Sequence, residues 1–241
     1  MRTEILGTVE QVSPSVLGSG AEETARMSKI GQLYTADWKT RLVSAGLVYA
    51  SHIGTLTAGA DVGLIVGGGN GTTVDSDQPE LIIGVDAGYY LIPIEVRVIG
   101  QMDADANAEY GEIVIFADRT QAPPTSASGT PGVVTPNNLL DGGAAFPGRA
   151  FGGVTTDITD PVMSEFLDME YVNTAEFVSN GAATNLTNGI VQNLKLHYKP
   201  DYPEFLAGPC SLVVCFGGTA AVNGMINAVV AVVPSTWFPV S

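Results

Sequence analysis

The stretch Asp86–Met102, DAGYYLIPIEVRVIGQM, decides the fold class of this 241-residue chain. In its second half Ile94, Val96 and Val98 share one face of an extended segment, while Glu95 and Arg97 take the other. Successive side chains of a strand point to opposite faces, so this period of two predicts a strand in a sheet with one wet side. Pro93 has no N–H to donate and is expected at a strand start or an edge. A second β-prone run, EYGEIVIFADR at Glu109–Arg119, follows the acidic segment DADANA and is expected to return antiparallel, closing a hairpin.

Upstream, WKTRLVSAGLVYASHIGTL (Trp38–Leu56) is rich in β-branched and aromatic residues and reads as one long strand bent at Gly46. The apolar Leu64–Val66 runs into GGGNG, where consecutive glycines mark a turn. ELIIGV at Glu80–Val85 is the next strand. Downstream, residues 120–148, opening TQAPPTSASGTPG, form a long loop dominated by Pro, Gly, Ser, Thr and Asn. Asp160-Pro161 places a capping aspartate and a first-turn proline before VMSEFLDMEY, which predicts a short interposed helix. Strands resume at AEFV, GIVQNLKLHY, CSLVVCF and MINAVVAVV. The count is about eight strands in an all-β, antiparallel β-sandwich over residues 38–241, preceded by an N-terminal arm at 1–37 with a short helix at Ala21–Leu33.

The chain carries 10 Lys and Arg against 25 Asp and Glu, a net charge of −15. Residues 1–41 hold five of each sign, so the whole excess lies in the remaining 200 residues. A body this acidic repels phosphate and is not expected to bind nucleic acid. Two cysteines, Cys210 and Cys215, are five apart in an apolar strand and point to opposite faces, which excludes a bridge between them. They read as buried free thiols, and with no signal-peptide pattern in MRTEILGTVEQ the expected site of synthesis is a cytoplasm. The apolar runs fall short of the roughly 20 residues of a spanning helix.

Candidate chemistry is sparse. GGGNGTT at Gly67–Thr73 lacks the lysine and hydroxyl of a phosphate-binding loop. Asp103, Asp105 and Asn107 alternate as in a calcium loop, but Ala108 and Val114 stand where that loop needs glycine and a bidentate glutamate. Asp157, Asp160, Glu165, Asp168 and Glu170 crowd around the expected helix, where a cap and a solvated face account for them. Two histidines, His52 and His197, are too few for a three-histidine metal site or a cupin-type centre. The thiols sit in apolar surroundings that suppress the thiolate, and no nucleophile elbow is present. The sequons at Asn70 and Asn185 matter only in a secreted protein. No catalytic, cofactor-binding or metal residue is therefore assigned, and the chain is not read as an enzyme.

The arm, the strand count, the helix between middle strands, the long loop and the hydrophobic last strand before STWFPVS together resemble the single jelly-roll capsid proteins of icosahedral viruses. QLYTADWKTRLVSAG and QPELIIGVDAGYYLIP are similar to sequences from tailless bacteriophages. The resemblance covers residues 38–240 and transfers no functional residue. It implies a jelly-roll sandwich that self-assembles into a homo-oligomeric icosahedral shell and resides in the virion, with minor capsid proteins or an internal membrane as further partners. The charge-neutral arm departs from the basic arms of RNA-packaging capsids. The alternative is a carbohydrate-binding or adhesin-like sandwich, with Trp38, Trp237, Tyr89 and Tyr90 as its candidate aromatics.

Overall fold

The computed structural model describes residues 38–54, 65–66, 74–104, 110–173, 190–219 and 221–237. The arm with its expected helix, the GGGNGTT turn and the strand expected at AEFV lie outside the described residues. In chain order the elements are α1 (Trp38–Ser44), β1 (Val48–Ile53), β2 (Ile65–Val66), β3 (Leu81–Val85), β4 (Tyr89–Ala104) and β5 (Tyr110–Asp118). Next come β6 (Gly129–Val133), β7 (Asn137–Asn138), β8 (Arg149–Val154) and β9 (Glu165–Asn173). Then follow β10 (Ile190–Tyr198), β11 (Leu206–Ala207), β12 (Cys210–Gly218), β13 (Ala221–Pro234) and a 3-10 turn at Ser235–Trp237.

Two antiparallel sheets result. Sheet 1 has the order β10-β4-β13-β1-β7, and sheet 2 has the order β6-β8-β3-β12-β5-β9. The connections β1–β3, β3–β4, β4–β5, β9–β10, β10–β12 and β12–β13 each pass from one sheet to the other, whereas β5 and β9 stay in sheet 2. That connectivity is an eight-stranded antiparallel jelly roll. The hairpin expected between Asp86–Met102 and Glu109–Arg119 does not form: β4 is flanked by β10 and β13, so β5 crosses over and pairs with β12 and β9. Crossing turns the apolar faces of consecutive strands toward each other, so both are buried at once.

The space between the sheets is filled from both sides, by Val96, Val98, Ile226 and Val230 of sheet 1 and by Ile113, Ile115, Leu212 and Phe216 of sheet 2. Each sheet also buries part of its outer face. On sheet 2, Ile82, Val114, Phe116, Phe151, Val213 and Cys215 lie under Val74, Ala127 and Ile158. On sheet 1, Val48, Ile92, Ile94, Ala231 and Val233 lie under Leu42, Val43, Leu47 and Trp237. Strand β12 is buried at all nine positions, which is why CSLVVCFGG reads as a continuous apolar run rather than an alternation.

Three local expectations are corrected. Val96 and Val98 face the inter-sheet core and Glu95 and Arg97 face out, but Ile94 joins the outer cluster under the helix. The register of β4 against β13 steps from Glu95↔Val229 to Pro93↔Val230, leaving Ile94 as the extra residue of a bulge. Pro93, inside a 16-residue strand rather than at its start or an edge, is accommodated by that bulge. Trp38–Ser44 is helical, not the first half of a strand. Gly46, at φ +69°, ends the helix, with Gly46 N–H donating to Val43 O at 2.9 Å and Leu47 N–H to Leu42 O at 3.0 Å. Glycine adopts this left-handed cap without a Cβ penalty, and the strand starts only afterward.

The third correction concerns VMSEFLDMEY, which forms edge strand β9 instead of a helix. Asp160 caps nothing helical. Buried Asp118 accepts a hydrogen bond from Val162 N–H at 2.9 Å, and Ser164 N–H donates to Ala117 O at 3.0 Å, which draws the chain extended onto β5. Sheet pairing thus overrides a local helix-start signal. Asp118 also accepts from Thr120 N–H at 2.7 Å and Thr120 Oγ1 at 2.6 Å, so one carboxylate holds both ends of the excursion between β5 and β9. Within residues 120–148 the regular structure is limited to the short strands β6 and β7. Arg149 fastens the far end, with two hydrogen bonds of 2.7 Å to Asp86.

Two outcomes follow for stability. Asp118→Ala removes three hydrogen bonds to a buried acceptor and should cost about 3 kcal/mol in urea unfolding, with protease cleavage starting inside 120–148. Arg149, by hydrogen bond and then charge, outweighs the effect of burial and holds the Asp86 carboxyl below its usual range. A depressed acid stabilises the fold above its unfolded pKa and loses that contribution as pH falls through the native value. Asp86 is more than half exposed, so Asp86→Asn should cost less than about 1 kcal/mol at neutral pH. That difference should begin to shrink as pH falls below about 4 and vanish only below the depressed native value, as read from unfolding curves over that range.

Candidate interaction surfaces

The residues with chemical potential are dispersed. Cys210 lies in the inter-sheet core and its Sγ donates to Leu206 O at 3.4 Å, while Cys215 lies in the outer cluster of sheet 2. Burial raises the Cys210 thiol to about 11 and pushes Cys215 well above its ordinary value, with the charges of Glu80, Asp75 and Asp77 adding to the second. The two thiols face opposite sides of one strand, as their spacing implies. Glu80, also buried, accepts a hydrogen bond from Phe216 N–H just ahead of the start of β3, so it replaces a rung that β3 does not supply.

His52 and His197 occupy the two ends of one cross-strand row on the outer face of sheet 1: His52 is opposite Asn227, Asn227 opposite Arg97, and Arg97 opposite His197. Three strand spacings of about 4.8 Å separate the histidines by roughly 14 Å. The acids around the expected helix split into two groups. Asp157 and Asp160 join Asp75 and Asp77 beside the start of β3, and Glu165, Asp168 and Glu170 belong to β9, where Glu165 pairs with Arg119. Among the described residues, no group of three or more His, Cys, Asp or Glu is arranged to hold a metal ion. The alternating acids of the loop after β4 and both sequons fall wholly or partly outside the described residues.

Two surfaces do assemble. The first is an apolar groove of about 560 Å³ over the outer face of sheet 1. Its floor is Ile92 of β4 and Val233 of β13, and its walls are Trp38 and Leu42 of α1, Trp237, and Tyr202 with Phe205 from the segment after β10. Arg41 and Asp201 add the charged groups of its lining. Lys39 Nζ lies 5.4 Å from the Trp38 ring centre, and Phe205 meets Tyr90 edge to face at 6.4 Å. Arg119 positions the outer wall by donating to Phe205 O at 3.4 Å and pairing with Glu204 at 3.2 Å. Of the four candidate aromatics, Trp38 and Trp237 are brought together here, Tyr90 stands behind Phe205, and Tyr89 packs against the inter-sheet core instead. Tyr202 and Phe205 were not among the sequence candidates. The signal for them was DYPEF, two aromatics flanking a proline in a short connection where a core residue is not needed.

The second surface runs along β9. Val162, Met163, Phe166, Met169 and Tyr171 are all exposed, and β9 is the outermost strand of sheet 2. Strand β10, the outermost strand of sheet 1, borders the same side of the sandwich. An uncovered row of large apolar side chains beside a sheet edge is the usual mark of a contact surface.

The groove residues separate cleanly by role. Trp237 packs on the outer cluster, so Trp237→Ala should cost roughly 2 kcal/mol, about half the value for a fully buried aromatic, whereas Tyr202→Ala, 92% exposed, should leave the urea midpoint unchanged. Comparison of the sequence with protein-family models and with curated proteins finds no match.

Proposed function

We propose that this protein is a structural capsid subunit whose jelly roll self-assembles into an icosahedral viral shell, that of a tailless bacteriophage. The observation that carries the proposal is the exposed apolar row along β9, which with β10 forms the outer strands of the two sheets among the described residues. A chain of charge −15 has ample polar residues to cover such a row, and a solitary domain is better served by doing so. Jelly rolls serve as shell subunits, lectins and cupins. The cupin use depends on histidines gathered inside the sandwich, and His52 and His197 are on an outer face. In the capsid reading, short-range apolar contacts hold neighbours whose net charges repel, since screening confines that repulsion to about 8 Å at physiological salt. The virion is then the protein's location, with minor capsid proteins or an underlying membrane as further partners.

A second reading has its own observation. Trp38, Trp237 and Tyr202 line one open groove, an arrangement on which a sugar ring could stack, so a carbohydrate-binding module is the alternative.

Electron microscopy and analytical ultracentrifugation of the purified full-length chain decide between them. Closed particles are expected, and removal of residues 1–37 should leave a β-rich circular dichroism spectrum while impairing assembly. A full-length chain that stays monomeric at high concentration across a range of salt, and that binds a glycan in a Trp38- and Trp237-dependent way, overturns the capsid proposal.

A further inference from the structure

The charges of the sandwich are sorted by face. Seven Lys and Arg residues fall within the described segments, and two of them belong to sheet 2 or its strand ends, in ion pairs of Arg119 with Glu165 and Glu204 and of Arg149 with Asp86. The other five lie on the sheet 1 side. Lys39 and Arg41 belong to the helix packed on its outer face, Arg97 points outward from β4, and Lys195 and Lys199 lie on the outward side of β10 and just after it. Both histidines of the chain share this face. Glu95 lies among these groups, with its side chain only 19% exposed, paired with Arg97, 3.1 Å from His197 Nε2 and 3.5 Å from Lys199 Nζ. Burial acts to raise the Glu95 carboxyl, but the hydrogen bond from His197 and the charges of Arg97 and Lys199 outweigh it and hold it below its usual range. Next to this row, between Lys195 and Met225, Ile99 is 58% exposed.

The opposite side carries the complement. Asp75, Asp77, Asp157 and Asp160 gather where Val74 and Ile158 cover the outer face of sheet 2, and among the described residues no Lys or Arg pairs with them. The hydrogen bond of the protonated Asp77 carboxyl to Asp75, then burial, then the charges of Asp75 and Asp157 outweigh the lowering hydrogen bond with Asp160 and hold Asp77 above its ordinary value, as expected where acids crowd together. Phe166, Met169 and Tyr171 lie on the same side, opposite Phe116, Val114 and Glu112 of β5.

We propose that the basic outer face of sheet 1, centred on Arg97, Lys195 and Ile99, docks on the acidic and apolar outer face of sheet 2 of a second copy of this chain. The inference deepens the shell reading, on which it rests, by naming the surfaces that meet. Sign and polarity match on both sides: cations with one exposed aliphatic group against aspartates with exposed Phe, Met and Tyr. The two faces lie on opposite sides of one sandwich, so the contact is heterologous and each copy offers both halves to different neighbours. Such contacts close into rings when the rotation between copies allows it, and rings are the units from which closed shells are made. The aspartates also make the face self-discriminating, because stacking like face on like face opposes equal charges.

Charge reversal tests the contact. Arg97→Glu with Lys195→Glu puts acids at the centre of the sheet 1 face, and Asp157→Lys with Asp160→Lys puts cations among the aspartates of the sheet 2 face. Sedimentation of each double variant at low salt should show self-association at least tenfold weaker than wild type. A one-to-one mixture should recover it to within about threefold, because the reversed patch of one variant then meets the reversed patch of the other, and native meets native. Circular dichroism establishes that both variants are folded. Wild-type-like association of either variant alone, or no recovery in the mixture of folded variants, overturns the inference. So does binding of single-stranded DNA or phosphatidylserine vesicles that depends on Arg97 and Lys195 while self-association does not. Association that follows the charge pattern without closed particles by electron microscopy overturns the shell reading and leaves the contact standing. A wild-type chain that never associates overturns both.

Discussion

Strand β12 leaves no side chain for water, and much of the architecture follows from that. A sheet strand buried on both faces needs a layer on each side. The inner layer is sheet 1. The outer layer is supplied by Val74, Ala127 and Ile158, which belong to segments flanking β3 and to the excursion between β5 and β9. The excursion is thus a structural lid over the second sheet rather than a decorative loop, and the buried Asp118 at its root is the element that lets it leave and return at one point. Sheet 1 solves the same problem on a smaller scale, with a seven-residue helix and Trp237 covering one end of its outer face. Among the described residues nothing covers the other end, and that is where Arg97 and Lys195 are found.

How far the sequence reveals this depends on whether the deciding contact is local. The strands β3, β4, β5, β10, β12 and β13 announce themselves because period-two or continuous apolar runs are properties of the segment alone. The partnering of β4 and β5 was invisible. A short acidic connection is compatible with a hairpin or a crossover, and only the competition of β10 and β13 for the edges of β4 selects the second. Strand β9 was misread for the same reason: Asp160-Pro161 is a sound helix start in isolation, but the hydrogen bonds that fix the segment come from Asp118 and Ala117, more than 40 residues earlier. In α1 the glycine was recognised as a break, yet WKTRLVS carries too few turns to show a helical period and was absorbed into the neighbouring strand.

The surfaces were less legible than the fold. Trp38 and Trp237 stand out by residue type, but their meeting depends on the chain entering and leaving the sandwich over the same end of sheet 1. The sorting of charge by face was not visible at all. The sequence shows a net charge and an acidic body, and only strand register reveals that Arg97, His197, Asn227 and His52 form one line across four strands.

The two thiols turn the sandwich into its own reporter. Cys210 is sealed between the sheets and Cys215 beneath the excursion, so neither reacts until its layer lifts. Alkylation of Cys215 without Cys210 would register the excursion peeling away from an intact sandwich, and reaction of both would register separation of the sheets themselves. Native-state thiol exchange can therefore time two openings of one small domain separately, because partial and global unfolding expose different protected groups.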